Sequence, residues 1–259
     1  AYSNLNDIYL VKGDYTQSIR WGKKALAVFR KLEITNNVAV ILIWLAETYS
    51  RTGYYEQMME NIIEAEGLID GLNDYFREAK VNFFKAQYAL HKQDFNSALS
   101  HMENSIEKYN LAKNTRFETQ TLIESLNILI ESNNKDKIEP TMRRIMHLIN
   151  QIKGSYSNEI FTAMKYFIDA QNKEVSIDDL ESFYNFLEDY QDNFPLNFPL
   201  TYWYMARTYL SINKKENANA CHKKSKQILD FLANRISGGE EKENFYKVYF
   251  YKRIVEPLG

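Results

Sequence analysis

Glycine and proline are scarce: 9 and 4 of 259 residues, against average usage of roughly 7% and 5%. Turns that depend on either residue must be few, which argues against an all-β sandwich or barrel. The single cysteine, Cys221, excludes an intrachain disulfide and fits a reducing compartment. Long apolar runs are missing too. The longest, Val38 to Ala46, falls short of the roughly 20 residues a membrane-spanning helix needs. No signal-peptide pattern opens the chain. No block of like charge occurs, since 32 basic and 34 acidic residues are interspersed to a net charge of −2; a polyphosphate backbone would have little to hold. The chain begins on Ala1-Tyr2-Ser3-Asn4-Leu5 rather than Met, in what reads as the middle of a helix. It is therefore expected to be a piece of a longer protein.

What the chain does have is a repeat. Leu5-Asn6-x-x-Tyr9-x-x-x-Gly13-x-Tyr15 superposes on Leu45-Ala46-x-x-Tyr49-x-x-x-Gly53-x-Tyr55 at an offset of 40 residues. The same step reaches Lys85-Ala86-x-x-Ala89-x-x-x-Gln93-x-Phe95, then Leu126 and Leu129 before Asn133-Asn134. It continues to Tyr166 before Gln171-Asn172-Lys173, and to Met205-Ala206-x-x-Tyr209-x-x-x-Asn213. Turns are thus expected near 13, 53, 93, 133, 173 and 213. Apolar residues at helical spacing precede each turn, and a second helical stretch follows it. Ala46, Ala86 and Ala206 supply the small residue that two closely packed helices need, and Gly or Asn at the break suits the left-handed conformation that ends a helix. One such pair cannot bury its own apolar face, so the pairs must stack and share a core. Aromatics, 14% of the chain, make large rings the main packing material.

Leu-Asn/Ala-x-x-Tyr-x-x-x-Gly-x-Tyr, followed by Lys24-Ala25-Leu26, resembles the tetratricopeptide repeat. The first, second and sixth units carry the pattern clearly, the third moderately, the fourth and fifth mainly by phase. The period of 40 exceeds the usual ~34 residues, which implies lengthened helices, as in bacterial peptide-pheromone sensors and in sensor arrays attached to kinases, cyclases or transcription factors. The resemblance implies an all-α, right-handed superhelical solenoid of about six helix pairs over residues 1–236, with a C-terminal capping or exit helix in 237–259. It implies a cytoplasmic, non-catalytic scaffold or sensor without a cofactor, whose partner is a protein or peptide in the concave groove. A peptide-pheromone receptor segment, or the regulatory region of a kinase or cyclase, is the alternative reading.

In that family the first helix of each pair lines the inner wall. Counting from Ala46 and its equivalents, the position one residue later reads Asp7, Glu47, Gln87, Asn127, Phe167 and Arg207. Five residues later the sequence reads Val11, Arg51, His91, Glu131, Gln171 and Ser211. Two residues earlier it reads Asn4, Trp44, Phe84, Glu124, Met164 and Tyr204. Offsets of three and four share a helix side, so these rows predict the ligand-binding face. Its candidates are Asn4, Asp7, Trp44, Glu47, Arg51, Phe84, Gln87, His91, Asn127, Glu131, Trp203, Tyr204 and Arg207. Polar groups alternate there with aromatic platforms, a combination suited to an extended peptide or a partner helix. Asp7 and Glu47 stand where a chaperone-type carboxylate clamp wants Asn or a cation, which argues against that subfamily.

Other chemistry finds little support. Gly238-Gly239 lacks the strand and lysine of a nucleotide loop. His91, His101, His147 and His222 have no zinc spacing, even with Cys221 beside His222. Asp178-Asp179 and Glu240-Glu241 fall at expected helix starts, where the dipole favours acids. Lys214-Lys215 and Lys223-Lys224 read as a solvated face rather than a nucleic-acid site. Pro195 and Pro199 mark a loop over 193–200 before the sixth pair. A final helix is expected over Glu240–Ile254. Its aromatics Phe245, Tyr246, Tyr249, Phe250 and Tyr251 surround it on more than one side and need cover, from the sixth pair and from a missing domain or a second copy in a homodimer.

Overall fold

The computed structural model describes residues 2–152, 159–189, 198–236 and 238–258, with the side chains of residues 2–4, 7 and 11 outside that description. Among the described residues the regular elements are all helices. Six pairs run α1 (Tyr2–Lys12) with α2 (Tyr15–Lys31), α3 (Thr35–Arg51) with α4 (Tyr55–Ile69), α5 (Tyr75–His91) with α6 (Phe95–Leu111), α7 (Thr115–Glu131) with α8 (Lys135–Ile149), α9 (Glu159–Gln171) with α10 (Ile177–Glu188), and α11 (Phe198–Ser211) with α12 (Lys215–Ala233). Two short helices follow, α13 (Gly239–Phe245) and α14 (Tyr249–Val255). The all-α repeat expected from the sequence is the observed architecture.

The 40-residue step is built into the backbone. Gly13, Gly53, Gln93, Asn133, Lys173 and Asn213 all have positive φ, between 55° and 75°. After each, the next residue's N–H reaches back to a carbonyl five positions earlier: Asp14 to Tyr9, Tyr54 to Tyr49, Asp94 to Ala89, Asn134 to Leu129, Glu174 to Asp169 and Lys214 to Tyr209, at 2.8–3.0 Å. This closure satisfies carbonyls that a helix end otherwise leaves orphaned. Asp14 and Asp94 then cap the following helix through their side chains. A second left-handed set, Glu33, Asn73 and Lys113, repeats at the same step where the second helices of the first three pairs end.

Only two of the six first-helix breaks carry glycine, although all six share the conformation. At Gly53 the reason is close approach: an added Cβ would stand 2.3 Å from the Asn244 carbonyl oxygen of the segment containing α13. Gly13 faces only the Arg235 side chain at 3.5 Å, an ordinary contact.

The chain divides into two compact units, residues 1–156 with 235–248, and 157–234 with 249–259. In the first, α1, α3 and α5 pack side by side, and α2, α4 and α6 each bridge their own pair and the next. Ala46 and Ala86 are fully buried at these contacts. Gly22 lets α2 approach α3, since a Cβ there would lie 2.6 Å from Leu45 Cδ2. In the second unit α9 and α12 pack on α11, and α14 lies against α11 and α12; Ala206, Tyr204 and Tyr209 are buried there.

Two expectations about boundaries change, and a third feature was not anticipated. The single closing helix over Glu240–Ile254 is two helices interrupted at 246–248, and they join different units. The loop expected over 193–200 ends earlier, because Phe198, Pro199 and Leu200 already belong to α11. Proline is tolerated there because first-turn N–H groups have no intrahelical acceptor; Pro195 lies outside the described residues. Pro140 sits inside α8, where sequence reading placed no interruption.

Gly53→Ala is expected to lower the melting temperature well beyond the roughly 1 kcal/mol of left-handed strain alone, because its Cβ meets backbone. Gln93→Gly relieves the same strain with no such contact and is expected to stabilise by about 0.5–1 kcal/mol. Thermal melts of the two variants check both signs.

Candidate ligand-binding face

The register of the first helices brings the predicted rows together. In the second unit, rows on adjacent first helices meet directly. The Arg207 guanidinium lies 4.2 Å from the Phe167 ring centroid, 4.5 Å from Trp203 and 5.3 Å from Tyr204. Gln171 Nε2 donates to Ser211 Oγ at 2.8 Å. The Arg207–Phe167 and Gln171–Ser211 contacts join equivalent positions 40 residues apart, as stacking of identical pairs requires. They also use the residues up: Trp203 and Tyr204 are buried, and their rings serve to clasp Arg207.

In the first unit α3, α5 and α7 present the corresponding rows. Glu47 accepts from Arg51 at 2.9 Å and from Lys80 at 3.3 Å. Burial raises the Glu47 carboxyl, but Lys80 and Arg51 together more than offset it and hold it below its ordinary value. The Lys80 ammonium lies 5.2 Å from the Phe117 ring centroid and 5.9 Å from Phe76. Phe76, Phe117 and Tyr109 form an aromatic trio with centroids 5.4–5.7 Å apart. Lys80, Phe76 and Phe117 were not among the predicted residues. Helical spacing contained a signal for Lys80, which precedes Phe84 by four and Gln87 by seven.

The other candidates divide by what already holds them. Phe84 belongs to the core shared by α2, α3, α4 and α5. Asn127 is buried. His91 turns onto the second helix of the preceding pair, stacked on Tyr55 at 4.2 Å. Glu131 is half-buried at the end of α7. The side chains of Asn4 and Asp7 lie outside the described residues. Trp44 is half-buried with one side against the core, and Gln87 is half-buried. Glu124, which stands in the same row as Trp44 and Phe84, keeps some contact with solvent although protein surrounds it. Burial pushes its carboxyl up to about 7, with Arg51 only partly counteracting. Gln87 and Glu124 form no hydrogen bond or ion pair with any described residue.

A separate cavity of about 380 Å³ lies among α6, α7 and α8. Leu99, Ile106, Leu122 and Leu129 give it apolar walls, and Arg144 reaches into it to pair with the buried Glu118 at 2.7 Å. Cys221 and His222 are buried on α12, where the His222 ring meets the Ile254 carbonyl at 2.8 Å. Among the described residues no group of three or more His, Cys, Asp or Glu is placed to hold a metal ion, and no helix is long and apolar enough to cross a membrane.

No protein-family model and no curated protein matches the sequence. Solved structures do match. The apo form of RapI superposes with a TM-score of 0.69 at 13% identity, over 87% of this chain and 81% of that one. A Rap protein complexed with Competence and Sporulation Factor gives 0.71 at 12% identity, over 90% of this chain and 64% of the other. BtubC (BKLC) from P. vanneervenii gives 0.53 at 14% identity, over 88% and 78%. The fold is a tetratricopeptide-type helical repeat. At these identities the likeness speaks for the repeat architecture alone, and this chain spans 64% of the length of the complexed Rap protein.

The raised Glu124 carboxyl has a direct consequence for this repeat. The folded chain keeps the proton up to about pH 7, whereas the unfolded chain releases it near the ordinary 4.5. The associated stability is present in full below pH 4.5 and lost as pH rises through 7. Glu124→Gln removes that dependence. Denaturant melts at pH 4.5 and pH 8 are expected to show the variant gaining stability relative to wild type at the higher pH; an unchanged difference contradicts the assignment.

Proposed function

We propose that this chain is a non-catalytic binding scaffold that lays an extended peptide or a partner helix across the first helices of its repeats, most directly α3, α5 and α7. The carrying observation is that this face holds polar groups the fold itself does not use. Gln87 and Glu124 occupy the predicted rows on successive first helices and bond to no described residue. Half-exposed Trp44 stands in the Glu124 row on α3. An extended peptide needs amide partners for its backbone and apolar platforms for alternate side chains. The Glu47–Arg51–Lys80 network holds neighbouring side chains in place, so less ordering is required on binding. The Rap protein complexed with Competence and Sporulation Factor supports this reading as a repeat of the same fold that takes a ligand.

We place the chain in the sensor or scaffold part of a larger cytoplasmic bacterial regulator. An adjoining DNA-binding segment would make it a peptide-pheromone receptor; an adjoining kinase or cyclase domain would make it the regulatory region of an enzyme.

Gln87→Ala tests the face. Because Gln87 bonds to no described residue, the substitution is expected to change stability by no more than about 0.5 kcal/mol. Loss of one hydrogen bond to ligand is expected to weaken binding to hexapeptides selected on a random-sequence array about three- to tenfold, read by calorimetry. Lys137→Ala, at the separate cavity, is expected to leave that affinity unchanged. Equal effects of the two variants, or no peptide retained on the array, would refute the assignment.

A further inference from the structure

Four of the charged groups on α3, α5 and α7 bear on which ligand this face can take: Glu47, Arg51, Lys80 and Glu124. They are not equivalent. Glu47 is engaged by two cations at once, at 2.9 and 3.3 Å. Lys80 is engaged by Glu47 and by the rings of Phe76 and Phe117. Arg51 bonds Glu47 and reaches Glu124 only through space. Glu124 alone among the four has no direct partner among the described residues.

An anionic ligand group is poorly served by this arrangement. It would have to draw Arg51 or Lys80 away from Glu47 and tolerate two nearby carboxyls. A cationic group gains a direct, charge-assisted hydrogen bond to Glu124 and disturbs none of the existing pairs. The enclosure that disfavours an unpaired carboxylate also strengthens its attraction for a cation that arrives with it.

We propose that Glu124 is the subsite that receives a cationic nitrogen of the bound peptide, a Lys or Arg side chain or a free amino terminus, and so selects basic over acidic ligands. This rests on the α3–α5–α7 face being the binding face. It adds which chemistry is recognised there and by which residue.

The test uses the full chain on a positional-scanning hexapeptide array, printed once with free and once with acetylated amino termini. The expected result is a preference of about tenfold or more for Lys and Arg over Glu and Asp at one position. If acetylation instead removes the retained signal, the amino terminus is the cation and the subsite stands. In Glu124→Gln, nearly the same size as the native residue, the preference is expected to vanish while neutral peptides are still retained. In Glu124→Lys it is expected to reverse. Circular dichroism melts confirm that each variant is folded, and the two substitutions act as independent arms should one fail. Peptides retained without charge preference and regardless of acetylation, or a basic preference that survives both substitutions, overturn the subsite and leave the binding face intact. Absence of any retained peptide overturns the face itself.

Discussion

Everything in this chain follows from a backbone constraint met six times: a first helix must stop, reverse and start its partner at the same place in every repeat. The left-handed residue does this by letting the following N–H close on a carbonyl five positions back. Because it recurs at 13, 53, 93, 133, 173 and 213, equivalent side chains within each unit stand at equivalent heights. Gln171 can then meet Ser211, and Phe167 can meet Arg207, across adjacent first helices. A break displaced by one residue would rotate every following side chain by about 100° and scatter those contacts.

The rows so aligned serve two purposes. Within α9 and α11 the aligned residues hold the repeats to one another: Arg207 is clasped by three rings, and Trp203 and Tyr204 are buried. Within α3, α5 and α7 part of the row is consumed in the same way, at Phe84 and Asn127. Another part forms a fixed charged network, and Gln87 and Glu124 are left with no protein partner among the described residues. Both keep contact with solvent, so water can satisfy them in the free chain and a ligand can take its place. That availability is what separates a binding position from a packing position in a repeat where both look alike.

Glycine use shows the same division between local and distant causes. The left-handed turn does not demand glycine, since Gln93, Asn133, Lys173 and Asn213 all adopt it. At Gly53 the demand comes from the Asn244 carbonyl, 191 positions further along the sequence.

The sequence by itself determined the fold class, the number of pairs, the position of each break and the rows of residues on the first helices, because these are consequences of local periodicity and turn chemistry. Only the tertiary structure decided which members of a row face solvent, partner or core. Phe84 and Trp44 are equivalent by period, yet one is core and the other half-exposed. His91 is in the predicted row, yet Tyr55 on another helix takes it. Lys80 and the aromatic trio went unsingled because their significance arises from three helices meeting. The split of 239–255 into two helices had the same origin, as α13 and α14 follow the surfaces of different units rather than their own propensity. Glu124 was visible in its row; its perturbed carboxyl and lack of a partner come from neighbours distant in sequence, which no local pattern encodes.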